Sequence, residues 1–274
     1  MSVLIVGCGY LGKRVATAIR DPGRPVFALT RSRTKELQAA GLTPIVGDVM
    51  RPESLALPAV ETVVYAVGLD RRSGQSMRDV YVDGLANVLD RLPTPRQFVY
   101  VSSSSVYGQT DGNWVDELSP TEPIEESGRV VLEAERLLAS RLPFATILRF
   151  SGIYGPNRLL RKAALLAGES LLGDADKWLN LIHVDDGVRA VLAAEAVAGE
   201  TINICDDEPV TRRHFYTTLA ELLHAPAAAF APGASTRGET NRQIANTKAK
   251  ALLGFRPDFP SFRVGLPDAV GRSS

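Results

Sequence analysis

Short, nearly unbroken apolar runs recur along the chain: Val3–Val6, Val26–Leu29, Thr43–Val46, Thr62–Val67, Gln97–Val101, and later Phe144–Arg149 and Thr201–Cys205. They are rich in Val, Phe and Tyr and lack apolar/polar alternation, as buried strands covered on both faces do. Between them the apolar positions switch to helical spacing, at Leu11, Val15, Ala18 and Ile19, then at Val80, Leu85, Val88 and Leu89. This alternation predicts a parallel sheet with helices on both faces. Beyond Tyr154 the pattern loosens. Pro156, a helical stretch over Leu159–Ala167 and a Pro/Ala-rich loop over Ala225–Gly233 suggest a smaller, less regular part. The expected division is a larger domain over 1–155, to which 181–205 returns, and a smaller region made mainly of 156–274.

The first apolar run leads directly into Gly7-Cys8-Gly9-Tyr10-Leu11-Gly12. A Gly-x-Gly-x-x-Gly turn between a strand and a helix serves three needs. It turns tightly, it lets the backbone approach a pyrophosphate, and it lets helix and strand pack closely; the helix N-terminus then offers unpaired N–H groups to the phosphates. Gly7, Gly9, Tyr10, Leu11 and Gly12 are therefore expected to hold a dinucleotide, and the fold class is a Rossmann-type doubly wound α/β parallel sheet with a smaller C-terminal part. Cys8 is read as a small filler of the turn.

The second run ends in Thr30-Arg31-Ser32-Arg33, where a carboxylate would accept from a ribose 2′-hydroxyl and repel a 2′-phosphate. Two arginines and two hydroxyls suit a phosphate instead, so the reading is NADP rather than NAD. Asp48, with Val49 beside it, follows the third run and is placed to accept from the adenine amino group; an Asp that shapes the turn after Gly47 is the equal alternative.

Charge and cysteine content narrow the classes. The 274 residues carry 31 Lys+Arg against 31 Asp+Glu, so no basic surface argues for nucleic acid or membrane. No apolar run approaches a membrane span, and Val3–Val6 lacks the basic lead-in of a signal peptide. Two cysteines and three separated histidines argue against a disulfide framework or a metal centre. A cytoplasmic protein with a small-molecule substrate is the expectation.

Further motifs follow in order: Phe98-Val-Tyr-Val-Ser-Ser-Ser-Ser-Val-Tyr-Gly108, Leu148-Arg-Phe-Ser-Gly-Ile-Tyr-Gly-Pro156, Ile182-His-Val-Asp-Asp186, Ile202-Asn203 and Leu253-Gly-Phe-Arg-Pro257. With the glycine turn they make the chain resemble the extended short-chain dehydrogenase/reductase family of sugar-nucleotide epimerases and dehydratases, from Val3 to about Leu266. The glycine spacing departs from that family's usual Gly-x-x-Gly-x-x-Gly. The resemblance implies that the smaller C-terminal part is a substrate-binding lid, that Ala66, Val67, Gly68 and Ser102 line the dinucleotide, that Ser103 is the catalytic serine, and that Tyr107 and Tyr154 lie near the substrate. Arg149 and Arg158 would meet phosphates of a sugar- or nucleotide-linked substrate, and family analogy suggests a homodimer. Asp185 and Asp186 would cap a helix over Gly187–Ala194.

The resemblance fails at the family's Tyr-x-x-x-Lys. Aligned on Ala134-Glu135, the tyrosine position is Ser127 and the lysine position Val131, and no lysine occurs between Lys35 and Lys162. On a helix these positions share a face, where the ammonium tunes the phenol for proton exchange. Neither replacement does this chemistry. Two readings stand: an NADP-dependent oxidoreductase or epimerase with a displaced proton donor (Ser103 and Tyr107 being candidate catalytic residues), or a catalytically silent dinucleotide-binding sensor.

Overall fold

The computed structural model describes residues 1–19, 23–70, 72–233 and 240–273. Seven strands build one sheet: β1 (Val3–Val6), β2 (Val26–Thr30), β3 (Thr43–Val46), β4 (Thr62–Tyr65), β5 (Gln97–Ser103), β6 (Thr146–Phe150) and β7 (Thr201–Ile204). They lie in the order β7-β6-β5-β4-β1-β2-β3. Every neighbouring pair is parallel, with Val3 of β1 opposite Val26 on one side and Thr62 on the other. The order reverses between β1 and β4, which opens a crevice at the C-terminal ends of those strands.

Helices α1 (Tyr10–Ile19), α2 (Thr34–Ala39), α3 (Gly84–Arg91), α4 (Glu126–Arg141), α5 (Lys162–Leu166), α6 (Val184–Ala193), α7 (Arg212–Leu222), α8 (Thr247–Leu253) and α9 (Phe262–Gly271) complete the described elements used below. The pleat divides β1 between two cores. Val3 and Ile5 face Val15 of α1 and Val188 and Val191 of α6. Leu4 and Val6 face Leu85 and Val88 of α3 and Val130, Ala134 and Leu138 of α4. Both faces of the sheet are covered, as the unbroken apolar runs require.

A separate apolar core joins Tyr154, Leu179, Val210, Phe215 of α7, and Phe262 and Leu266 of α9. Short strand pairs stitch this lid together: Gly152–Tyr154 runs parallel to Leu181–His183, and Trp178–Leu179 antiparallel to Val210–Thr211. Gln243–Ile244 pairs in parallel with Trp114–Val115, which ties the far end of the chain to the loop after β5.

Several expectations change. Thr43–Val46 is an edge strand with Thr43 and Val46 exposed, not a buried one; it has β2 as its only sheet neighbour, and Pro44 suits that edge. The fourth strand stops at Tyr65; the Ala66 N–H still donates to the Val6 carbonyl at 2.7 Å, and Val67 and Gly68 lead away from the ladder. The helix expected over Leu159–Ala167 is confined to Lys162–Leu166, preceded by Arg161 in a left-handed conformation. Asp185 and Asp186 do not cap the next helix. It begins at Val184, and His183 caps it, its Nδ1 accepting from the Asp185 N–H. Among the described residues no helix is long and apolar enough to cross a membrane.

Candidate active site

The glycine turn lies where β1 meets α1, and the surroundings of each glycine explain it. Gly7 has φ +96°, and a Cβ on it would stand 2.6 Å from the Ala66 carbonyl and the Val67 nitrogen. A Cβ on Gly12 would stand 2.1 Å from the Gly7 oxygen. A Cβ on Gly9 would meet nothing within 4 Å. Two glycines thus permit close packing of turn, β4 and α1, while the middle one leaves open space at the helix N-terminus. No acidic residue occupies the first turn of α1 to oppose an anion. This cradle suits a pyrophosphate.

A groove of about 950 Å³ runs from the turn along the strand ends, lined by Gly7, Gly9, Tyr10 and Leu11, by Thr30–Arg33, Asp48 and Val49, and by Ala66–Gly68. Gly12 supports the groove from beneath. The Cys8 thiol is buried and donates to the Ile5 oxygen, and burial raises its pKa to about 11. It is a filler and no thiolate. Tyr10 donates its hydroxyl to the Pro156 oxygen, and the Arg158 guanidinium stacks 5.2 Å from its ring centroid.

At the β2 end, the Thr30 hydroxyl accepts from the Ser32 and Arg33 N–H groups at 3.3 and 3.0 Å and holds the loop. Arg33 is turned back onto the Cys8 carbonyl. Arg31 is half-exposed and lies 3.6 Å from Asp70 across the groove, a loose, solvent-screened pair. One Asp48 carboxylate oxygen is committed to the Met50 N–H at 3.0 Å.

The C-terminal end of β5 carries Ser102 and Ser103. Ser103 caps the short helical turn Ser104–Val106, its hydroxyl accepting from the Ser105 N–H at 3.1 Å. Gly128 in the first turn of α4 lets the helix press against this turn, since a Cβ there would stand 2.3 Å from the Ser105 oxygen. Ser127 is thereby brought beside the serine loop, and Val131 lines the dinucleotide groove one helical turn on.

Ser103, Ser105, Ser127 and Gly152 also line a second cleft of about 590 Å³, which opens between the sheet and the lid. Its far wall carries Trp178, Asn180, Arg212 and Arg242. Arg242 and Asn180 had no signal in the sequence: both come from segments that only the lid topology places there. Asn180 spans the wall, its amide donating to the Arg242 carbonyl and its Oδ1 accepting from the Ile244 N–H. Arg242 donates from Nη2 to the Ser104 carbonyl at 2.7 Å. Burial lowers its pKa to about 10.

Five expected site residues play other parts. Arg149 does not face a ligand: it is buried, pairs with Glu135 at 2.7 Å, and donates to the Tyr107 hydroxyl at 3.0 Å. Tyr107 is buried too, lines neither cleft and donates to Asn203 Oδ1 at 2.9 Å; burial raises its pKa. Tyr154 lies in the lid core against Phe215 and His183, with Gly265 packed on its hydroxyl. Arg158 belongs to the dinucleotide groove and not to the second cleft. Ser102 borders the groove, but its hydroxyl donates inward to Glu135 at 2.5 Å. For Arg149, Tyr107 and Ser102 the motif places a polar group to tie neighbouring elements together, which sequence spacing does not separate from ligand contact.

His183, Asp185 and Asp268 come together, with ligand-type atoms within 4.8 Å of one another. Arg272 donates to Asp185 at 2.8 Å and to Asp268 at 3.0 Å. The cluster is an ion-paired knot between α6 and α9.

The doubly wound sheet and the glycine cradle define a Rossmann-type dinucleotide-binding protein. The family model described as "NAD dependent epimerase/dehydratase family" matches residues 3–205, and the chain belongs to that family. Protein YeeZ of Escherichia coli (strain K12) is 31% identical over 238 residues, covering 81% of this chain and 83% of YeeZ. A 3-diazoavenalumate denitrifying reductase of Streptomyces sp is 28% identical over 304 residues, covering 97% and 99% of the two chains. Among solved structures, "MoeE5 in complex with UDP-glucose and NAD" superposes with TM-score 0.80 at 25% identity, over 99% of this chain and 98% of that one.

Proposed function

We propose that the protein is an NADP-dependent oxidoreductase or epimerase acting on a hydroxyl or keto carbon of a small molecule, with an active site that dispenses with Tyr-x-x-x-Lys. The observation that carries this reading is the meeting of two clefts at Ser103, Ser105 and Ser127. A dinucleotide groove alone serves a sensor. A second, walled cleft that joins it beside the catalytic-serine position is what a reaction between cofactor and substrate requires.

When bound, the nicotinamide would accept or supply a hydride. Gly7, Gly9 and Gly12 would hold the pyrophosphate, and Ala66–Gly68 would border the dinucleotide. Ser103 would hold the substrate oxygen, its hydroxyl accepting from the Ser105 N–H and keeping its own proton to donate. Ser127 occupies the family's tyrosine position without a phenol, and Val131 supplies apolar wall where an ammonium would stand. Arg31 would pair a ribose 2′-phosphate, being the one arginine of its loop that is not turned onto the turn backbone. MoeE5 binds UDP-glucose and NAD, and the Streptomyces relative is named as a reductase. Both precedents support redox chemistry at such a site.

The sensor reading keeps one observation in its favour, the loss of Tyr and Lys at Ser127 and Val131. Titration with NADPH and NADH, followed by substrate-dependent NADPH oxidation over a panel of ketones and keto acids, separates the two. The expected result is tight NADPH binding with turnover of at least one carbonyl class. Absence of NADPH binding would overturn both readings; tight binding with no turnover anywhere in the panel would favour the sensor.

A further inference from the structure

The wall of the second cleft contains a cation whose electrostatic needs the protein leaves unmet. Arg242 is half-buried between the serine turn and Asn180, and its one recorded hydrogen bond goes to the Ser104 carbonyl. Its Nε is fully buried and has no partner. Among the described residues no carboxylate forms an ion pair with it; Glu125, on the opposite lip, acts on it only at longer range. Three other arginines removed from solvent are charge-paired: Arg149 has Glu135, Arg24 has Glu195 and Arg189 has Asp186.

Removing a guanidinium from water without a counter-charge is unfavourable, and burial alone depresses its pKa here. An anion entering the cleft would restore what desolvation removed. The guanidinium's amino nitrogens, rather than the fully buried Nε, are what a planar two-oxygen group in the cleft would meet. Arg161, Lys177 and Arg212 line the same cleft but have partners of their own, so the guanidinium left without a counter-charge balances a single negative charge, and Glu125 nearby disfavours a second. A carboxylate therefore fits better than a doubly charged phosphate.

Position sharpens the inference. Arg242 bonds the carbonyl of Ser104, Ser103 is the preceding residue, and Ser105 packs on the turn that carries Ser127. An anion held by Arg242 lies beside the carbon to be reduced or oxidised, not at a remote end of the substrate. We propose that Arg242 is the anion-recognition residue of this cleft and that the substrate is a keto or hydroxy acid whose carboxylate lies close to its reacting carbon. This rests on the reading of the second cleft as a substrate site. Arg242 lies outside the dinucleotide groove, so the inference is separable from cofactor binding.

The test uses Arg242→Met and Arg242→Lys beside the natural protein, each saturated with NADPH. Acetate, malonate and inorganic phosphate are titrated and followed by calorimetry and by thermal midpoint. The natural protein should bind and be stabilised by the carboxylates more than by phosphate. Arg242→Met should lose about tenfold to a hundredfold in carboxylate affinity, the range expected for a charge-assisted hydrogen bond. Arg242→Lys, which keeps the charge without the fork, should lose less. NADPH affinity should be unchanged in both, which also shows that each variant folds; if only Arg242→Lys folds, its weakened carboxylate binding decides the question. In the absence of any anion Arg242→Met should melt no lower than the natural protein. Undiminished carboxylate binding in the variants would overturn the proposal, as would phosphate binding tighter than carboxylate. Loss of NADPH binding in the natural protein would instead count against the proposed function.

Discussion

At the scale of single residues, what matters is whether a polar group already has a partner. Arg31 and Arg33 stand two apart in one loop, yet Arg33 is spent on the Cys8 carbonyl while Arg31, among the described residues, makes a loose solvent-exposed pair with Asp70 at 3.6 Å. Arg31→Asp should therefore weaken NADPH binding by about tenfold or more, the scale of a lost charge-assisted hydrogen bond. NADH binding should change far less, because the loop backbone is held by Thr30. Equal weakening of both cofactors in a fluorescence titration would show that Arg31 reads no phosphate. The same accounting explains the misreadings. Arg149, Tyr107 and Ser102 occur in motifs that frame the site, but their polar atoms converge on Glu135 and Asn203. Sequence shows which residue types flank a strand end; it does not show which way a side chain turns once the neighbouring helix carries a buried carboxylate. Glu135→Ala should leave Arg149 buried and unpaired, at a cost of about 3–5 kcal/mol in urea unfolding. A loss below 1 kcal/mol would show that water reaches Arg149 and that the pair is marginal.

Elements were legible in proportion to the length over which their pattern runs. β1, β2, β4 and β5 were readable from four or more consecutive apolar residues, as a strand covered on both faces favours, whereas β6 and β7 show shorter runs because each buries a polar residue, Arg149 or Asn203. The lid's two-residue strands were not readable: Trp178–Leu179 finds Val210–Thr211, and Gln243–Ile244 finds Trp114–Val115, through tertiary contacts with no periodicity of their own. Arg242 escaped notice for this reason. The start of α6 was misjudged because Asp is a frequent cap, whereas here the buried His183 ring takes that place and Asp186 receives the Asp258 and Phe259 N–H groups. That exchange has a pH consequence. Burial holds His183 below its ordinary value of 6.5. The unfolded chain then takes the proton more readily, so the contribution is complete above about pH 6.5 and is lost as pH falls through the folded value, by at most about 1.4 kcal/mol per pH unit. His183→Asn keeps a capping oxygen and removes the titration. Its stability should fall less steeply than that of the natural protein on acidification below pH 6.5, read as the difference between the two, since the raised pKa of Asp186 acts in the opposite sense in both. Parallel curves would show that His183 does not titrate differently on unfolding.

For the whole molecule, the arrangement is one rigid sheet that ends in two clefts with a common border. The dinucleotide groove is made by loops leaving β1, β2 and β4, all anchored in the central sheet. The far wall of the second cleft is made by segments of the lid, including Trp178–Asn180 and Arg242. The serine turn after β5 belongs to both. If this division is functional, ligands should protect different parts of the chain from amide hydrogen exchange, with overlap only at the border. NADPH should slow exchange in peptides containing Gly7–Gly12, Thr30–Arg33 and Ala66–Gly68. Malonate added to the NADPH-loaded protein should add protection around Trp178–Asn180 and Arg242–Ile244, where Asn180 already links the two segments. Peptides over Ser103–Val106 should respond to both. A response to malonate confined to the glycine turn would mean that the anion only competes for the phosphate cradle, and the second cleft would lose its standing as a substrate site. Protection of the lid by NADPH alone, with nothing added by the acid, would instead describe a molecule in which the dinucleotide sets the lid and no second ligand is needed, which is how a sensor behaves.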